Sequence, residues 1–292
     1  MMADEKGMKS EKKVGNGRLV MKRLMKNPNA VIGLIILVII ILMAVFANVV
    51  APYGYAEMNL PDRLQTPSFK HLFGTDEMGR DLFSRIVYGA RDTLKLSLGT
   101  VAFGTGVGIV LGSIAGSFGG WVDNLIMRIL DVISAIPGIL MAICISAVLG
   151  GGLIPTIFAL GAGGIPGAAR ILRAQMISVR EQEFVEAATS INATKLRIIA
   201  KHVFPNSMSP LIVSASMSLA NAIIAASSLS FIGLGVQPPN PEWGALLAAG
   251  RSQIRDFPHL VMLPGVVIML TVLAFNLLGD GLRDALDPKL KK

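Results

Sequence analysis

Two long stretches of this chain carry no Asp, Glu, Lys or Arg: Val132 to Ala169, and Ser207 to Pro241. A helix needs about 20 apolar residues to cross the hydrocarbon core of a bilayer, and both stretches are long enough. Inside that core each backbone N–H and C=O must be satisfied within the segment itself, which selects helices. Only 16% of residues are charged, against about a quarter in ordinary soluble domains, and mean hydropathy is +0.61. A large soluble core does not fit blocks of this length. The sequence predicts an all-α, polytopic membrane protein.

Six spans are expected: about Val31 to Val50, Leu96 to Phe118, Val132 to Leu149, Ile154 to Ile171, Leu211 to Phe231 and Leu260 to Leu278. Gly150, Gly151 and Gly152 turn the chain between the third and fourth. The polar N-terminal segment and the length of the first apolar run do not fit a cleaved signal. Cys144 is the single cysteine, so neither an intrachain disulfide nor a cysteine metal cluster is expected.

Lys and Arg near span ends set orientation. Lys6, Lys9, Lys12, Lys13, Arg18, Lys22, Arg23 and Lys26 precede the first span, which places that tail in the cytoplasm. Six crossings return the C-terminus to the same side, where Arg283, Lys289, Lys291 and Lys292 agree. The segment from Ala51 to Lys95 and the loop from Ile232 to Pro258 fall outside, and neither has a positive excess. The net charge of +8 therefore fits orientation in a membrane better than nucleic-acid binding.

Gly104, Gly108, Gly112, Gly116 and Gly120 recur at every fourth position of the second span. That spacing lays them along one helix face, where another backbone can approach closely. Helix packing is the favoured role, with sliding during transport as the alternative. Pro137, Pro155, Pro166 and Pro264 interrupt other spans and distort or hinge the bundle. Asn221, Ser227 and Asn276 are candidates to line a wet path, with hydrogen bonding between helices as the plain alternative.

Between spans four and five lies a charged island, Arg170 to Asn206. It holds Arg170, Arg173, Arg180, Lys195, Arg197 and Lys201 against Glu181, Glu183 and Glu186. Glu181 to Ile191 has helical periodicity, with Phe184, Ala187, Ala188 and Ile191 on one side. Its carboxylates favour the N-terminal end, Asn192 tolerates a left-handed stop, and Thr194 suits the N-cap of a second helix that Pro205 ends. Two short helices and a tight turn form a knob that suits a cleft on another protein. A solvated loop without a partner is the plain alternative.

Glu186-Ala187-Ala188, followed by Asn192 and then Phe204-Pro205, resembles the "EAA" loop of ABC-transporter permeases. The family pattern has Gly where Asn192 stands, Ile where His202 stands and Leu where Phe204 stands. Asn keeps the left-handed turn available. Leu72 to Asp81 with Ser84-Arg85, Gly233 to Pro239 with Pro241 to Gly244, and Phe275 to Pro288 resemble further segments of the same family. Together they identify the chain as a member of the second-permease group of dipeptide, oligopeptide and nickel importers.

The resemblance implies a type I ABC importer permease with a MetI-like architecture. It implies a cytoplasmic tail (1–30), a first transmembrane helix (31–50), an extracytoplasmic loop (51–95), a permease core (96–286) with the coupling loop 170–206, and a cytoplasmic C-terminal tail (287–292). Glu183, Glu186, Ala187, Ala188, Asn192 and Pro205 would receive the motion of an ATPase. The chain has no Gly-x-x-x-x-Gly-Lys-Ser/Thr phosphate loop, so ATP and Mg²⁺ are expected on partner subunits and no cofactor or metal on this chain. The implied partners are a second permease, two cytoplasmic ATPases, an extracytoplasmic binding protein and the bilayer. Import of di- or oligopeptides is the leading function, and nickel or another small solute the nearest alternative. An autonomous channel or secondary carrier would transport without an ATPase. The spans hold few ionisable groups, which argues against proton coupling. An intramembrane enzyme finds no support, since His71, His202 and His259 fall outside the span cores or at their ends.

Overall fold

The computed structural model describes residues 16–286, and the expected cytoplasmic tail at 287–292 and the lysines before Asn16 lie outside them. The described residues form helices and one isolated β-bridge, Thr75 to Asp81, with no strand. In chain order the helices are α1 (Asn16–Leu24), α2 (Pro28–Val45), α3 (Ala47–Val50), α4 (Leu82–Phe118), α5 (Gly120–Ser134), α6 (Gly138–Leu149), α7 (Leu153–Arg180), α8 (Glu183–Ser190), α9 (Lys195–Ile198), α10 (Phe204–Phe231), α11 (Trp243–Gly250) and α12 (His259–Leu286).

Five helical runs are long and apolar enough to cross a membrane: α2, α4, α7, the run Lys195–Phe231, and α12. A sixth crossing exists if α5 and α6 form one broken span, and these two meet at 84°. The third span expected over Val132 to Leu149, with Pro137 interrupting it, is in fact the end of α5 and the whole of α6. Pro137 lacks an N–H and sits in extended geometry before α6 (φ −54°, ψ 126°), and a residue before proline is pushed out of the helical region. Two further boundaries move. Asp81 caps α4 by accepting from Ser84 N at 2.8 Å, so the helix of the second span begins at Leu82, well before its apolar part from Leu96. Pro205 does not stop the helix before α10. A π turn, Ile199–Val203, carries the Phe204 N–H back to Ile199 O, and Pro205 then occupies the first turn of α10, where its missing N–H leaves no bond broken.

The glycine face of α4 packs on α7. A Cβ at Gly104 would lie 2.6 Å from Gly161 O, at Gly108 2.5 Å from Ala168 Cβ, at Gly112 2.5 Å from Ala169 O, and at Gly116 3.0 Å from Met176 Cβ. Gly120, the fifth in the series, has left α4 and opens α5 at φ +56°. On the other flank α2 lies against α12, where a Cβ at Gly33 would be 2.7 Å from Ala274 O. Leu37, Ala220, Ile223, Ala274 and Phe275 join α2, α10 and α12 in one apolar cluster.

The segment between α3 and α4 is irregular and held by polar bonds. Lys70 Nζ meets Asp62 Oδ2 at 2.6 Å, Arg80 Nε meets Asp76 Oδ2 at 2.7 Å, and His71 Nδ1 lies 2.9 Å from Asp81 Oδ1. The Lys70 ammonium holds the Asp62 carboxyl below its ordinary range. Glu77 accepts from Ser252 Oγ at 2.9 Å and Gln253 Nε2 at 3.0 Å, which fastens this segment to the loop before α12.

Candidate functional site

The charged island divides into an anchored half and a free half. On α7, Arg173 donates from Nε and Nη2 to the two oxygens of Asp123, both at 2.5 Å. Arg170 Nη2 reaches Asp131 Oδ1 at 2.8 Å and Ser134 Oγ at 3.0 Å. Arg180 donates to Gly116 O at 3.1 Å and satisfies a carbonyl at the end of α4, which has no intrahelical partner. These cations bind α5 and α4 to α7. Lys195, Arg197 and Lys201 are exposed, as are Glu181, Glu183 and Glu186. None of the six has an ion-pair partner among the described residues.

The knob itself is α8, a turn and α9. Glu183 and Glu186 sit in the first turn of α8, where the helix dipole favours carboxylates. Asn192 has φ +59°, a left-handed conformation that reverses the chain. Thr194 occupies the N-cap position of α9 in extended geometry, but its side chain makes no capping bond. Val185 and Ala188 are buried with Leu172, Met176, Ile198, Val203 and Leu211, so the knob is seated on α7 and α10. Of the apolar residues that share one side of α8, Ala188 is buried, whereas Phe184, Ala187 and Ile191 face out. Ile191 is 81% exposed and Leu196 78%. The resulting surface combines free charges of both signs with bare apolar side chains around one turn. A protein interface core wants that apolar content with a polar rim.

A cavity of about 420 Å³ lies between α4, α6, α7 and α10. A wider one of about 1090 Å³ opens toward the knob side, near Arg23, Gln182, Asn206 and Arg283. Ser214, Ser218 and Asn221 line both. They fall at successive turns of α10 and make one continuous polar stripe through an apolar helix. Of the three path candidates, only Asn221 reaches this space. Ser227 is buried beside α11, where a Cβ on Gly244 would stand 3.0 Å from its own Cβ. Asn276 is exposed on α12 and lines neither cavity. Ser214 and Ser218 escaped sequence reasoning, although small polar residues at i, i+4 and i+7 of an uncharged span carry that signal.

Within the expected outer loop from Ile232 to Pro258, the stretch around Trp243 packs into the bundle. Trp243 and Glu242 are fully buried at 0% exposure. Burial pushes the Glu242 carboxyl up, and hydrogen bonds from Gly244, Ser230, Ala245 and Thr93 oppose the shift. Among the described residues no group of three or more His, Cys, Asp or Glu is placed to hold a metal ion.

Residues 108–292 match the family described as binding-protein-dependent transport system inner membrane component. Residues 16–67 match the N-terminal TM domain of oligopeptide transport permease C. The chain is 47% identical to the dipeptide transport system permease protein DppC of Alkalihalophilus pseudofirmus, over 94% of this chain and 90% of that protein. It is 44% identical to the glutathione transport system permease protein GsiD of Escherichia coli, over 92% and 89% respectively. In three dimensions it resembles a chain of the inward-facing MetNI methionine ABC transporter. The TM-score is 0.57 at 19% identity, covering 69% of this chain and 96% of that one. That likeness gives the fold, which is MetI-like. This helical bundle, with five or six candidate spans, thus belongs to the binding-protein-dependent transport system inner membrane components, as a permease subunit of an ABC importer.

Proposed function

We propose that the chain forms half of the translocation path for di- or oligopeptides, working by alternating access. The observation that carries this reading is the junction of knob and path. The knob is seated on α7 and α10, and both helices go on to line the cavities. A push on α8 therefore moves the walls of the path, the rigid-body displacement that alternating access requires. Two ATPase subunits holding ATP and Mg²⁺ supply the push through Glu183, Glu186, Ala187, Ala188, Asn192 and Pro205. The relatives named above are permeases for dipeptides and glutathione, which favours peptide cargo over nickel. A second permease closes the open side of the cavity, where Gly163, Gly164 and Gly167 of α7 are exposed. An extracytoplasmic binding protein delivers cargo from the face opposite the knob, and both termini lie in the cytoplasm.

Glu186→Lys tests the coupling. It reverses an exposed charge on α8 and touches no buried contact. We expect membrane insertion to be intact, while the ATPase subunits no longer co-purify and peptide uptake is lost. Normal co-purification together with normal uptake would overturn the assignment.

A further inference from the structure

We propose that Glu242 is a positioning residue of the transport cycle, tying the far end of α10 to α4 and α11 so that displacement of the knob reaches the opposite end of the bundle. Its carboxylate touches three helices. Oε1 accepts from Gly244 N at 2.9 Å and Oε2 from Ala245 N at 3.0 Å, which caps α11. Oε2 also accepts from Ser230 Oγ, in the last turn of α10, at 2.9 Å. Oε1 faces the Thr93 hydroxyl of α4 at 3.5 Å. Among the described residues no cation pairs with it.

Burying a carboxylate away from any cation is costly. A cap for α11 alone would be served by Ser, Thr or Asn. What the carboxylate adds is acceptor capacity, since its two oxygens can receive donors from all three helices at once. The seat around it has no slack. Trp243 gives its backbone N–H to Thr93 Oγ1 at 3.2 Å and its Nε1 proton to Ile86 O of α4 at 2.9 Å. A Cβ at Gly89 of α4 would lie 2.9 Å from Trp243 Cδ1. While these bonds hold, α11 and the adjoining turns of α4 and α10 move as one body.

The run that carries Ser230 in its last turn begins in the knob. Lys195–Phe231 is a single helical path, and at about 1.5 Å per residue it is about 55 Å long. Glu242 therefore grips the far end of the lever whose near end carries the knob. Through Thr93 it also grips α4, which two turns further on supplies Thr100 to the cavity wall. The carboxylate thus links the two helices whose relative motion opens or closes the path on that side. This role rests on the import function proposed above.

The test uses the complete importer in proteoliposomes, with its ATPases and its binding protein, and reads peptide uptake and ATP hydrolysis in the same sample. For Glu242→Gln we expect an assembled complex that still hydrolyses ATP but moves about tenfold less peptide per ATP, the factor that one buried bond to a charged group is worth. Glu242→Asp should recover part of the ratio. Ser230→Ala leaves the α11 cap in place and cuts only the link to α10, so it decides the matter if Glu242→Gln fails to assemble. A wild-type ratio in Ser230→Ala would overturn the proposal, as would uptake and hydrolysis that fall together in proportion to the amount of complex. A second readout needs no cargo. Deuterium uptake across residues 242–250 should change when a non-hydrolysable ATP analogue binds the wild-type complex, and should not change in Ser230→Ala. An equal change in both would overturn the proposal. A wild-type complex that imports no peptide but shows this difference would overturn only the cargo assignment.

Discussion

Asn192 stands at the turn between α8 and α9 with φ +59°, a conformation that costs a residue with a Cβ about 1–2 kcal/mol unless its side chain is small and polar. Sequence alone anticipated this geometry, because Asn replaces a Gly of the family pattern and both tolerate the left-handed region. Thr194 was less legible. Its position before α9 is that of an N-cap, yet the hydroxyl makes no bond, since composition places a cap and only the rotamer completes it. We expect Asn192→Gly to leave uptake unchanged. Asn192→Val should strain the turn by about 1–2 kcal/mol, speed proteolytic nicking between α8 and α9, and lower uptake. Equal protease resistance in the two variants would show that the turn bears no strain.

At the scale of elements, apolar periodicity located the helices and failed where polar chemistry sets their ends. The glycine face of α4 was readable because fourfold spacing has one geometric meaning on a helix. The start of α4 was hidden, because Arg85, Arg91, Asp92 and Lys95 lie in its N-terminal turns and put the start of the apolar block at Leu96, well after Leu82. Pro137 marked an interruption, but the 84° bend there was not legible, because an uncharged run is apolar on both sides of a bend. The helix α11 was missed because its eight residues, Trp243–Gly250, are too few to stand out as a span and lie between the charged residues Glu242 and Arg251. The packing of α4 on α7 makes a paired prediction. At Gly112 a Cβ would stand 2.5 Å from a backbone oxygen of α7, which has little room to yield, whereas a Cβ at Gly106 meets nothing within 4 Å. Gly112→Leu should cost about 1–3 kcal/mol and lower the thermal midpoint of the purified complex. Gly106→Leu should leave it within error, and equal effects of the two would place the α4–α7 contact elsewhere.

At the scale of the whole molecule, the role proposed for the bundle is one wall of a path. The cavities are lined by α4, α6, α7, α10 and neighbouring segments, and the polar groups that line both, Ser214, Ser218 and Asn221, fall along one stripe of α10. On the α7 side Gly163, Gly164 and Gly167 are bare. A backbone stripped of side chains suits close approach of another helix better than contact with disordered lipid tails. Nor does the chain hold a phosphate loop to draw on ATP. An autonomous channel would need a closed, wetted route within this single chain, and a secondary carrier would need an ion site beside the cargo. Among the described residues Glu242, the fully buried carboxylate of the bundle, lines neither cavity. The chain reconstituted alone in liposomes should therefore pass no peptide down a concentration gradient, with or without a pH gradient. Adding the second permease without ATPases should not restore flux, and the full complex with ATP and the binding protein should. Flux through the lone chain at a rate comparable to the complex would mean that it closes a path by itself, and the half-path assignment would fall.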